Sequence, residues 1–191
     1  MIAMNGRLLV RCDMKQKNQL TIAGVVYMTA MIYEINYREK SPVVAQVVSG
    51  NKILKEGDVI LCHHNHFMPS GSVQSPYYVQ DDIFSIPFNK TIFAVLKPDG
   101  GIDPVCGNIL GSRVGINYRI PIPEPQQYKD RLLVRDGGWT KFRSGDLIFT
   151  RPHAPYDIVY IVNKYEYRIT KVSEDQVCGV EKKSTKKDLV S

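Results

Sequence analysis

Lys55-Glu56-Gly57-Asp58-Val59-Ile60-Leu61 occurs a second time in altered form, as Arg143-Ser144-Gly145-Asp146-Leu147-Ile148-Phe149. Each reads as a basic residue, a spacer, a Gly-Asp turn and an apolar strand. Each is followed at similar distance by another apolar strand, Thr91-Ile92-Phe93-Ala94-Val95 or Gln176-Val177-Cys178-Gly179-Val180. The openings lie 88 positions apart and the closings 85 apart. A repeat at that period with one small insertion fixes the architecture before any residue-level reading. It predicts two versions of one small β domain, with boundaries at 1–96 and 97–181, and a basic tail over 182–191.

The rest of the pattern agrees with an all-β chain. Arg7-Leu8-Leu9-Val10-Arg11 and Pro42-Val43-Val44-Ala45-Gln46-Val47-Val48 read as strands, as do Tyr77–Ile86, Asp157–Val162 and Tyr165–Val172. β-Branched and aromatic residues, partial alternation and turn residues between runs favour strands over helices. Asn163-Lys164 reads as a tight turn. Many short strands spaced near ten residues indicate barrels or sandwiches. Phe93–Lys97 ends the first repeat and also reads as the opening strand of the second, which predicts one rigid body without a flexible linker. The strand within Pro104–Val114 reads as the counterpart of Pro42–Val48, and Leu132–Arg135 as a short extra strand.

The chain has 191 residues, a formal net charge of +6 and 43% hydrophobic residues, which suits a folded protein. Part of that charge sits in Glu181-Lys182-Lys183-Ser184-Thr185-Lys186-Lys187, read as a solvated tail. Nucleic acid is therefore not expected as a partner. The four cysteines, Cys12, Cys62, Cys106 and Cys178, form no C-x-x-C spacing. Cys62 and Cys178 stand in strand patterns and are expected as buried, reduced thiols, which points to the cytoplasm. No apolar run suggests a signal peptide or a membrane span.

Chemistry-bearing motifs are few. Cys62-His63-His64-Asn65-His66 is one candidate metal site. If the segment is extended, Cys62, His64 and His66 share a face and offer three ligands. The alternative is a strand end whose histidines merely pack. No glycine-rich phosphate loop precedes a helical pattern, and Asp81-Asp82 reads as an exposed turn. Trp139, beside Gly137-Gly138, reads as a core anchor or an interface residue. No enzyme and no cofactor are expected.

Each repeat resembles the GroES-type co-chaperonin family, a small irregular β-barrel that assembles into rings. The first repeat carries the resemblance at Arg7–Arg11, Val43–Gly50, Glu56–Leu61 and Ile92–Val95. The second carries it at Leu96–Ile102, Gly107–Leu110-Gly111, Ser144–Phe149 and Ser173–Val180. The resemblance covers most of the chain except the tail. It implies two tandem barrels, a homo-oligomeric ring, and a mobile loop whose apolar residues dock on a chaperonin. Gly24, Val25, Val26, Tyr27 and Met28 are similar to that docking element. The residues themselves leave a second reading open: Met28–Tyr37 is apolar and aromatic, so Gln19–Tyr37 also reads as a packed hairpin. On that reading the protein is a structural or adaptor component of a larger assembly, such as a virus particle.

Overall fold

The structure, a computed structural model, describes residues 6–13, 19–29, 42–67, 75–114, 131–151 and 154–183. These residues are all-β, with two sheets and no α-helix. The strands are β1 (Arg7–Arg11), β2 (Gln19–Ile22), β3 (Val25–Thr29), β4 (Pro42–Ser49), β5 (Val59–His63), β6 (Tyr78–Gln80), β7 (Ile83–Pro87) and β8 (Ile92–Leu96). They continue as β9 (Ile102–Pro104), β10 (Asn108–Arg113), β11 (Arg131–Asp136), β12 (Leu147–Thr150), β13 (Tyr156–Val162), β14 (Tyr165–Ser173) and β15 (Val177–Glu181).

The chain packs into two compact units. One holds residues 1–106 and 158–168, the other 107–157 and 169–191. Strands β13 and β14 therefore have their residues divided between the units. In the first unit the strand order is β6-β7-β1-β4-β5-β8-β9. Its core is Leu8, Val10, Val43, Ala45, Val47, Ile60, Phe84, Ile86 and Ile92, with Leu54 and Phe67 delivered from loops. The second unit orders β14-β10-β11-β12-β15 around Ile109, Leu132, Val134, Phe142, Ile148 and Val172. Each fully buried Val, Leu, Ile or Phe among them contributes about 1.5–3 kcal/mol.

The repeat is matched down to its irregularities. The Gly-Asp turns superimpose in their bonding. Gly57 N–H donates to Val47 O at 2.9 Å and Gly145 N–H to Val134 O at 2.9 Å. Val47 N–H donates to Asp58 O, and Val134 N–H to Asp146 O. The glycines have φ of 92° and 94°, a left-handed conformation that favours glycine. The β1–β4 ladder slips between Leu9 and Val10, and the β10–β11 ladder between Leu110 and Gly111. The β5–β8 and β12–β15 ladders slip at Leu61/Cys62 and Phe149/Thr150. Bulges of this kind re-aim strands and are specified features.

These matches revise three sequence readings. The counterpart of β1 is β10, so the Gly107–Gly111 strand matches Arg7–Arg11 rather than Pro42–Val48. The counterpart of β4 is β11, the segment read as a short extra strand. Phe93–Lys97 does not open the second repeat: β8 ends at Leu96, turns through Pro98–Gly100, and is paired by β9. The two repeats differ most between these equivalent strands. Residues 12–41 join β1 to β4, whereas the shorter 114–130 joins β10 to β11.

The two aspartates are not equally committed. Asp58 accepts from Lys55 N–H at 2.8 Å. Asp146 accepts from Arg143 N–H at 2.9 Å, Lys182 Nζ at 2.8 Å and Lys183 N–H at 3.4 Å, and it is buried. The hydrogen bond from Lys182 leads the causes that hold its carboxyl below the usual range. Lys182 and Lys183, read from sequence as the start of a solvated tail, are thus fastened to the turn. Asp146→Ala is expected to cost about 2 kcal/mol, against about 1 kcal/mol for Asp58→Ala, because it orphans more donors. Urea unfolding of the two variants checks the ranking. The Asp146 contribution is present above the ordinary carboxylate range and fades as pH falls through it.

Candidate partner-binding hairpin and histidine turn

Gly24, Val25, Val26, Tyr27 and Met28 lie on a β-hairpin. The chain reverses at Ala23-Gly24. Ala23 and Gly24 have φ of 48° and 83°, positive at both central residues as a type I′ turn requires. β2 pairs β3 in register from Gln19↔Met28 to Ile22↔Val25. The other edge of β3 pairs β13, with Tyr27↔Val162, Met28↔Ile161 and Thr29↔Tyr160. Thr29 Oγ1 donates to Pro42 O at 2.9 Å, tying the end of β3 to the start of β4.

The side chains divide accordingly. Tyr27 is buried, and burial raises its phenol pKa. Val25, Val26 and Met28 are half-buried, and Ala23 and Gly24 are exposed. Asn163 holds the middle of β3 from both of its polar ends. Its N–H donates to Val26 O at 2.9 Å, and its Oδ1 accepts from Val26 N–H at 3.0 Å. Asn163 and Lys164 also have positive φ, 48° and 79°, so the turn read from sequence is again of the type I′ kind. Asparagine tolerates this conformation better than most residues. Asn163→Ala is expected to cost about 1–2 kcal/mol through the lost side-chain bond and the backbone preference. Amide exchange at Val26 should accelerate more than at core positions such as Ile60. The part of the hairpin reading that covers residues 30–37 lies outside the described residues.

A half-open concavity of ≈ 240 Å³ neighbours this clamp, lined by Pro98, Asp99, Val162, Asn163, Tyr165 and Tyr167. Tyr160 and Tyr167 stack at 5.1 Å between ring centroids. Their hydroxyls donate to Gly100 O at 3.1 Å and Asp99 O at 3.3 Å. Tyr165 is 71% exposed and forms an aromatic rim. The concavity needs Pro98 beside Tyr165, a long-range pairing that no local pattern displays.

The histidine segment is not extended throughout. β5 stops at His63, and His64–His66 is a 3₁₀ turn closed by Phe67 N–H donating to His64 O at 2.9 Å. The alternation that would align Cys62, His64 and His66 on one face therefore ends at His63. Cys62 is buried within β5, its thiol facing Val43 O at 3.6 Å. His66 places Nε2 at 2.6 Å from Thr91 Oγ1 and packs edge-on against Tyr77. Among the described residues no group of three or more His, Cys, Asp or Glu side chains is placed to hold a metal ion.

The remaining titratable groups are placed as packing or surface. Burial pushes the Cys62 thiol well up, with Cys12 nearby adding to it, and pushes Cys106 up to about 12. Both therefore stay protonated at neutral pH. Cys178, expected to be buried, is exposed. It sits on β15, an edge strand whose counterpart in the first repeat is covered. Trp139 is 59% exposed, so it is not a core anchor. Asp81 and Asp82 form an exposed turn. No helix among the described residues is long and apolar enough to cross a membrane. Compared with family models, curated proteins and solved structures, the chain matches none of them.

Proposed function

We propose that the protein is a non-enzymatic, oligomeric β-barrel protein of the co-chaperonin kind, with two barrels in one chain, acting in chaperonin-assisted folding. The observation that carries this reading is the unequal repeat. Two sets of strands agree in order, bulges and turn bonding, and their largest departure is the extra segment between β1 and β4. A scaffold that is otherwise copied faithfully has been given one additional element. In the family that the sequence resembles, that is where the chaperonin-docking loop lies. The half-buried Val25, Val26 and Met28, beside an exposed turn, offer a small apolar surface to a groove. Helix- or strand-sized apolar anchors of this kind dock with main-chain and pocket contacts.

A second reading is favoured by the Asn163 clamp and the burial of Tyr27. A docking tripeptide that orders only on binding should be free beforehand, whereas β3 has ladder partners on both edges. On this reading the hairpin is a packing interface and the protein is a structural or adaptor component of a larger assembly, such as a virus particle. Limited proteolysis at residues 19–29 separates the two. Cleavage in the free protein that is suppressed by added chaperonin supports the co-chaperonin reading. Resistance in the free protein, with no co-sedimentation with chaperonin, supports the structural one. A monomeric mass in solution sinks both.

A further inference from the structure

The residues that line the concavity beside the Asn163 clamp all belong to the first compact unit. Pro98, Val162, Tyr165 and Tyr167 give it apolar and aromatic walls. Asp99 is the one charged residue of the lining, and no basic residue is part of it. The Asp99 carboxylate accepts from Gly101 N–H through Oδ1 at 2.8 Å. Among the described residues no ion pair neutralises it, and Lys97, two residues earlier, is paired with Asp103 at 2.9 Å.

The aromatic wall is set in advance. Tyr160 lies almost parallel to Tyr167, with 11° between the ring planes, and supports that ring from one side. The hydroxyls of both rings hold the turn after β8 through Gly100 O and Asp99 O. Gly100 permits the approach: its φ is 88°, and a Cβ there would run into the Tyr167 ring. Tyr165 stands two residues before Tyr167, on the same side of β14. A site built beforehand loses less freedom when a ligand arrives.

These features select a class of ligand. A carboxylate without a counter-ion, beside aromatic faces, attracts a cation, and the ring quadrupoles add to the attraction. A primary ammonium has three N–H groups to satisfy. The nearby acceptors are already engaged: Asn163 Oδ1 by Val26 N–H, and Asp99 O and Gly100 O by the tyrosines. A quaternary ammonium has no N–H, and its methyl groups match Pro98, Val162 and the rings. A lining without basic side chains offers nothing to a phosphate on the same ligand.

We propose that this concavity binds a small, unphosphorylated trimethylammonium compound of the choline type. The charge lies near Asp99 and the methyl groups rest against Tyr165 and Tyr167. The assignment does not depend on the co-chaperonin reading.

The test is an NMR titration of the full chain with choline chloride. Dimethylbutanol, in which carbon replaces the nitrogen, serves as the uncharged isostere, and phosphocholine as the phosphorylated form. Choline is expected to shift the amide signals of Asp99, Asn163 and Tyr165 saturably, with an affinity about tenfold above that of the isostere. Asp99→Asn keeps an acceptor for Gly101 N–H, and Tyr165→Ala changes a side chain that is 71% exposed. Each should weaken choline binding by about fivefold and leave the urea unfolding midpoint in place. Phosphocholine should bind more weakly than choline. Absence of saturable shifts, equal affinity for the isostere, unchanged affinity in either variant, or tighter binding of phosphocholine overturns the proposal.

Discussion

Gly50→Ala and Gly137→Ala are each expected to destabilise the protein by about 3 kcal/mol, the upper end of overpacking costs. The two glycines are counterparts in the repeat. A Cβ on Gly50 would stand 1.8 Å from Leu54 O, and one on Gly137 would stand 2.2 Å from Phe142 O. The obstacles are backbone atoms, which cannot swing aside as a side-chain end would. Each belongs to a tight loop, closed by Asn51 N–H donating to Leu54 O at 2.8 Å and by Thr140 N–H donating to Gly137 O at 3.0 Å. Those loops seat Leu54 and Phe142 in the two cores. Relieving the overlap therefore opens the loop and lifts its anchor. Gly179→Ala, where the new methyl meets open contact, should stay within about 0.5 kcal/mol. Urea unfolding midpoints of the three variants test the ranking, and equal midpoints would refute it.

The second large effect concerns acid. Thr91 Oγ1 donates its single proton to Asn89 Oδ1 at 2.5 Å. It must therefore accept from His66 Nε2, which assigns the Nε2–H tautomer. Nδ1 is then a bare lone pair, buried and without a hydrogen-bond partner among the described residues. Protonating it would place a second cation inside a site that already has Arg7 over the Tyr77 ring. Desolvation first, then Arg7 and His64, push the His66 pKa down to about 4. The unfolded chain binds this proton at an ordinary histidine pKa and the folded chain does not. Stability from His66 is thus complete above about pH 6.5 and declines as pH falls toward 4, by about 3 kcal/mol in total. His66→Gln, which does not titrate and keeps an amide donor for Thr91, should lose correspondingly less over the same interval. Parallel stability–pH curves for the two proteins would show that His66 is not the responsible group.

How far the sequence could be read follows from the range of the interactions. The Gly-Asp turns were legible because a left-handed glycine followed by a bonding aspartate is a four-residue affair. The all-β character was legible from alternation and β-branching. The assignment of β10 and β11 was not. Val43–Val48 and Asn108–Leu110 are both short apolar strands, and period 2 carries no information about which neighbour a strand will pair. Only the ladders, with their bulges at Leu9 and Leu110, distinguish them. The place of the reversal within Gln19–Tyr37 was not legible, because alanine rarely takes the positive φ that Ala23 adopts. Asn163 was read correctly as a turn residue, but its grip on Val26 spans most of the chain and leaves no local trace. Similarly, the 3₁₀ turn at His64–His66 is stabilised by burial and by Thr91, which the segment itself does not advertise.

The division of β13 and β14 between units has a consequence for synthesis. The first unit begins at the N-terminus but includes residues 158–168. A nascent chain emerging from the ribosome therefore carries β3 with one ladder edge vacant until β13 has been made. At typical elongation rates that interval is on the order of ten seconds, long compared with hairpin formation. During that time the half-built sheet displays, beside Val25, Val26 and Met28, a strand edge that β13 covers in the finished fold.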